Sequence, residues 1–362
     1  MDILYTKGGH KQMNYYIILL MLLTILTIVF NKLKYFDKLK QNKKYINIIF
    51  VILTLFLIVR APEVGLDYEN YGKIFEYAHE KSFVELLTFE RHELGFKYYN
   101  KIISMIFNNY SFFLAVTSIV SIAGIYYYIK DNSKNYISSI LIFVTFNYYA
   151  FLFSILRQAI AMSILLFSIK YIKERKIYKF LILVVLAALF HKTALIFLPM
   201  YFIANIKISK KYLIIYLSAI AIIAVSGKYL LNLIFEYIYK PSTLEAVSGQ
   251  GIKMLILLVG LAIFAYCQQE KLLKQDKNNQ IYINSIFMAG LIQSIAPVFS
   301  LAHRAVMYYS IAMIVLIPNI IETFENKKIK MAVEITMYVV LILYFCYTTT
   351  NLIEYCQYKT IF

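Results

Sequence analysis

Five basic side chains interrupt otherwise apolar stretches of this sequence: Arg60, Arg157, His191, His303 and Arg304. Arg157 stands between "FLFSIL" and "AIAMSILLF", with Gln158 as a second polar group beside it. His191 lies in "LAALFHKTALIFLP", and the His303–Arg304 pair comes one turn before Tyr308 in "VFSLAHRAVMYYS". A guanidinium is charged under any physiological condition, and its planar fork matches phosphate oxygens through paired, charge-assisted hydrogen bonds. In hydrocarbon the same group costs about 2.5–3.5 kcal/mol on insertion scales unless it snorkels to water. Plainer readings exist for two of the five. Arg60 could snorkel from the end of a span, and His191 could be a satisfied histidine at a helix break, with Lys192 and Thr193 as a cap.

The elements that carry these residues follow from composition. With 362 residues, 61% hydrophobic and 16% charged, the chain holds more apolar surface than a soluble core encloses. The expected class is an all-α polytopic membrane protein, because only helices satisfy their own backbone over continuous apolar runs of ~20 residues. Twelve spans are predicted, at 13–31, 45–61, 111–129, 136–153, 157–173, 177–190, 193–206, 211–227, 252–268, 281–299, 304–322 and 331–349. The sixth and seventh are short enough to be tilted, kinked or jointly re-entrant. The first run is of spanning length and leads into lysines, so no cleavable signal peptide is expected.

Lysine clusters in the first loop and at Lys130/Lys134, Lys173–Lys179, Lys207–Lys211, Lys271–Lys277 and Lys327–Lys330 all fall on one side of this topology. By the positive-inside rule that side is the cytoplasm, so both termini face outward. The net charge of +17 is then an orientation signal spread over short loops rather than a nucleic-acid footprint. Arg60, Arg157, His191, His303 and Arg304 arrive together on the outer face, against that bias. Several cations at one depth on different helices point to an anionic ligand in an outward-facing cavity. A lipid diphosphate places its oxygens at that boundary, its tail in the bilayer and its sugar outside, and arginines around it would stabilise the charge that develops as it leaves the anomeric carbon.

The outer loop at 61–110 differs in character. It holds eight carboxylates between Glu63 and Glu93, with stretches of helical periodicity such as "YENYGKIFEYAHEKSFVELL", and is read as one or two amphipathic helices over the outer membrane surface. A second outer segment, 228–251, contains Pro241, Ser248, Gly249 and Gly251 and reads as a lid or turn. The three cysteines show no metal-ligand spacing and are expected as buried small hydrophobes. Nucleotide-binding glycine loops, a serine nucleophile elbow and zinc motifs are absent, so neither cofactor nor metal is expected.

The order "RAPEVGLDYENYGKIFEYA", "ELGFKYYN", "LRQAIAMSILLFSIKYI", "LAALFHKTALIFLPMYF" and "HRAVMYYS" resembles the EpsG family of bacterial exopolysaccharide proteins, grouped with Wzy-type polysaccharide polymerases. The resemblance runs from about Arg60 to Tyr309. It implies a GT-C-like glycosyltransferase of the bacterial cytoplasmic membrane that joins repeat units carried on undecaprenyl diphosphate at the outer leaflet. The bilayer and the lipid-linked oligosaccharide would be its partners, with a flippase and a chain-length regulator as candidate protein partners. Family patterns of arginine, aspartate and histidine fall on Arg60, Asp67, Arg157, His191 and Arg304. In the mechanism this implies, Arg157 and Arg304, assisted by Arg60, neutralise the donor diphosphate, with Gln158, His303 and Tyr308 as further substrate contacts. His191 is the first candidate for the base, because an imidazole titrates near the working pH. Asp67 and Glu93 are rivals, each beside a glycine, Gly65 or Gly95, where the chain can bend toward the cavity mouth. A lipid-linked oligosaccharide flippase and an O-antigen-type ligase remain alternatives.

Overall fold

The computed structural model describes residues 18–26, 42–65, 67–238, 251–297, 299, 302–352 and 358–361. The lysines from Lys32 to Lys40, Cys356, both ends of the first predicted span and half of the second predicted segment, 239–250, lie outside them. Among the described residues the fold is all-α, and the one departure is an isolated antiparallel bridge between Arg60 and Thr360.

Helix α1 (Lys43–Ile58) leads into three helices within the 61–110 segment, α2 (Tyr68–Glu80), α3 (Phe83–Thr88) and α4 (Leu94–Ile106), where the periodicity predicted one or two. Next come α5 (Tyr110–Asn132), α6 (Tyr136–Thr145), α7 (Tyr148–Ser154), α8 (Leu156–Lys173) and α9 (Ile177–Phe190). A 3-10 turn at Lys192–Phe197 and the short α10 (Met200–Ile203) precede α11 (Lys210–Ile238), α12 (Ile252–Gln275), α13 (Asn279–Gln293), α14 (Ala302–Ser310), α15 (Met313–Ile321) and α16 (Lys327–Leu352). Local chemistry fixes several starts: Asn109 accepts from the Phe112 N–H at 3.0 Å, Asn135 from that of Ser138 at 3.2 Å, and Ser82 and Glu85 form a capping box.

Among the described residues five helical stretches are long and apolar enough to cross a bilayer, or six if the bent pair α6 and α7 is one span. The predicted twelve are not confirmed: both ends of the first lie outside the described residues, and breaks shorten several of the others. Helix α9 has 14 residues, a rise of about 21 Å against a hydrocarbon core of ~30 Å, and the stretch predicted at 193–206 is a 3-10 turn followed by a four-residue helix. Helix α8 has 18 residues but carries Arg157, Lys170 and Lys173. Helix α11, conversely, runs past the predicted end of its span to Ile238.

Helix α8 is the central strut. It packs along α5 and α9, with α7 and the 3-10 turn at its start. Gly124 permits the crossing with α5, since a Cβ there would lie 2.3 Å from the Ser163 carbonyl oxygen. At the Lys173 end a polar clasp joins four elements: Asn132 accepts from Lys173 and Tyr282, and the Asn319 amide donates to the Asn132 carbonyl at 3.1 Å and to Asn279 at 2.8 Å. The outer helices expose apolar side chains such as Ile214, Ile222, Ile256, Val339 and Leu343. Cys267 and Cys346 are exposed on these helices rather than buried as expected, because their positions fall on the outward stripe.

Candidate functional site

The opposite end of α8 is where the predicted residues meet. The chain breaks at Ile155 (φ −113°, ψ 61°) before α8 begins, which puts Arg157 in its first turn. Glu93 occupies the N-cap of α4 but makes no cap hydrogen bond with its side chain. Its carboxylate reaches across instead. Oε2 accepts from Arg157 Nη1 at 2.6 Å, while Oε1 accepts from the Lys192 N–H at 3.1 Å and lies 3.5 Å from His191 Nδ1. His191 is the C-cap of α9, held extended (φ −155°, ψ 111°) between that helix and the 3-10 turn. Gly95 makes the approach possible: a Cβ there would lie 2.7 Å from the Leu189 carbonyl oxygen, so α4 crosses the last turn of α9 backbone to backbone. The glycine serves close packing rather than the bend the sequence suggested.

Electrostatics favour this arrangement. A cation in the first turn of a helix opposes the macrodipole, so Arg157 benefits from an anion beside it. The starts of α4, α8 and the 3-10 turn adjoin at Glu93, and their positive ends suit negative charge. Burial pushes the Glu93 carboxyl up, but His191, the Lys192 N–H and Arg157 outweigh it and hold the group well below the usual carboxylate range. His92 is a neighbour the sequence reading missed. Burial and the Arg157 charge push its imidazole down to about 4, so it stays neutral.

Tyr308 joins from α14, its hydroxyl 3.2 Å from Thr193 Oγ1, and Glu93 and Arg157 lie within its electrostatic reach. Tyr71, also missed, packs from α2 and interacts with Arg157. Gln158 is buried, and its amide donates to the Arg304 carbonyl at 2.6 Å, clipping α8 to α14. His191 Nε2, Arg157 Nε and Gln158 Oε1 are buried polar atoms with no hydrogen-bond partner among the described residues. Arg304 and His303 are exposed at the start of α14, and Arg304 makes no ion pair among the described residues. Asp67 is the N-cap of α2, one turn before Tyr71, with no cap hydrogen bond from its side chain. Arg60 stands apart. It is 1% exposed, donates to the Leu152 carbonyl at 3.4 Å and lies 5.3 Å from the Phe153 ring. Residues 358–361 cover it: Ala61 donates to the Lys359 carbonyl at 2.7 Å and Ile361 to that of Val59 at 3.0 Å. Among the described residues no group of three or more His, Cys, Asp or Glu side chains is placed to hold a metal.

The sequence pattern of the EpsG family matches residues 43–360, nearly the whole chain. The chain belongs to the EpsG family. This is a family of Wzy-like polymerases, which fits a membrane-embedded helical protein with a general role in exopolysaccharide polymerisation. Comparison with curated proteins finds no match. Comparison with solved structures finds none either. In this EpsG protein the motif segments beginning at Glu93 and Leu156, and those holding His191 and Tyr308, come from four separate helical elements and converge on one cluster. Tyr71 brings the outer-loop motif to the same place.

Proposed function

We propose that this EpsG protein is a polysaccharide polymerase of GT-C type that acts at the outer leaflet of the bacterial cytoplasmic membrane. It transfers the growing chain from its undecaprenyl diphosphate onto the next lipid-linked repeat unit. The observation that carries this reading is the convergence of Arg157, Glu93, His191 and Tyr308 at the broken-helix end, opposite the asparagine clasp around Lys173.

Arg304, exposed and without an ion pair among the described residues, is the guanidinium free to meet the diphosphate, and Arg157 adds a second positive charge nearer the imidazole. The acceptor hydroxyl attacks the anomeric carbon, His191 takes its proton, and the diphosphate departs with the bonding electrons toward the arginines. Arg60, buried against the end of α7, acts as a brace: it satisfies the Leu152 carbonyl and favours the negative end of that helix. Gln158 fixes the spacing between Arg157 and the start of α14, while Tyr308 and His303 border the space beside them.

Replacing Arg304 with Ala tests the reading through the length distribution of surface polysaccharide. Loss of long chains with single units still delivered outside supports a polymerase. Lipid-linked units trapped inside would mean a flippase, and unchanged chain length with loss of transfer to a different acceptor would mean a ligase.

A further inference from the structure

Glu93 was one of three candidate bases in the sequence, and its surroundings remove it from that role. Three donors face its two oxygens: Arg157 Nη1 at 2.6 Å, the Lys192 N–H at 3.1 Å and His191 Nδ1 at 3.5 Å. A carboxylate so occupied is a poor proton acceptor. Its side chain is also diverted from the N-cap bond that its position on α4 offers. His191 is 7% exposed, and both its ring nitrogens are buried with no hydrogen-bond partner among the described residues, Nδ1 lying 3.5 Å from the carboxylate.

We infer that Glu93 is a positioning residue. Its carboxylate holds the Nδ1–H of His191 and Nη1 of Arg157 together, so that the imidazole offers Nε2 to the acceptor hydroxyl while the guanidinium stays beside the leaving group. This rests on the polymerase reading of the site. The 3.5 Å separation closes to a hydrogen bond with a small ring rotation, as such contacts do when substrate binds. In the step itself the acceptor oxygen bonds to the anomeric carbon as the bond from that carbon to the diphosphate oxygen breaks. The hydroxyl proton passes to Nε2, and the electron pair leaves on the diphosphate. The imidazolium formed is then stabilised by the Glu93 carboxylate on its far side.

Several groups share this environment and bear on its pH response. Glu93 and Arg157 flank the imidazole, Lys192 follows it, and Tyr308 comes from α14. Tyr71 contacts Arg157 from α2, and His92 brings Arg91 and Lys97 within reach of the α4 start. Among these, Glu93 is the anion adjoining His191.

The test uses the full-length protein in two measurements. Nitrogen-15 NMR of the five histidines, assigned by their single replacements, reads the tautomer of His191. Membrane vesicles carrying the protein and the host's own polyprenyl-diphosphate-linked repeat units read chain elongation against pH. In Glu93→Ala the His191 ring is expected to lose its preference for the Nδ1–H form, because the acceptor facing Nδ1 is gone. Glu93→Gln should move the acid limb of the elongation profile to lower pH, because an anion beside the proton acceptor favours its charged form, with the maximal rate down about tenfold or more. Glu93→Asp should recover part of that rate, and Glu93→Gln should add little in a His191→Asn background. An unmoved tautomer balance, or an unmoved acid limb while the parent protein elongates chains, overturns the assignment. If the parent elongates no better than vesicles lacking it while the tautomer balance still moves, the polymerase reading fails and the catalytic role of the pair falls with it.

Discussion

At the residue scale, the cations that look alike in the sequence hold three different positions. Arg157 is in an ion pair, Arg60 is buried as a brace, and Arg304 is exposed. The difference is set by what each guanidinium meets across the fold, since an isolated buried charge is costly and a paired one less so. Glu93 is the residue whose loss should be most informative for stability. Its folded form titrates below the unfolded value of about 4.5, so its contribution is complete above that pH and fades as pH falls toward the folded value. The melting temperature of the purified protein should therefore exceed that of Glu93→Gln above about pH 5, and the margin should shrink as the pH falls toward about pH 3. A margin independent of pH would assign the effect to shape rather than charge.

At the element scale, the site depends on helices that stop. Breaks at Ile155 and His191 and the N-cap at Glu93 expose helix ends to one another, and the close crossing of α4 over α9 sets their spacing. Gly95→Val places side-chain atoms against the Leu189 backbone, an overpacking that costs roughly 1–3 kcal/mol, and should lower both the melting temperature and chain elongation. Gly72 on α2 is the contrasting position, because a Cβ there meets nothing within 4 Å. Gly72→Ala should leave elongation unchanged and stabilise by up to about 1 kcal/mol, as expected for replacing glycine within a helix. Thermal melts of the two variants beside the parent check both. The short elements also show why the span count differs: hydropathy adds up apolar residues over a window, and a single extended residue such as His191 leaves that sum unchanged while ending the helix.

At the scale of the whole molecule, α8 separates two chemically distinct ends, with the ionic cluster around Arg157 at one and the asparagine and lysine clasp around Lys173 at the other. On the orientation proposed from the lysine bias, the clasp faces the cytoplasm and the cluster faces outward. In a background without native cysteines, Glu80→Cys on α2 should react with a membrane-impermeant maleimide in intact cells. Lys328→Cys at the start of α16 should react only after permeabilisation, both parent side chains being exposed. The reverse pattern would put the cluster in the cytoplasm and remove the outer-leaflet reaction.

The sequence by itself determined the solvent, the helical class, the presence of helices within 61–110 and the grouping of Arg157, His191 and Glu93 among the residues worth suspecting. These follow from local quantities, namely apolar content, period and charge at the ends of runs. Only the tertiary structure decided that Glu93 pairs with Arg157, that Tyr71 and the Lys192 N–H complete the cluster, and that Arg60 is buried against Leu152 with residues 358–361 bonded to its chain neighbours. Those contacts join positions far apart in the chain, and they form because helices break at particular residues and approach closely at particular glycines, which no local sum of side-chain properties encodes.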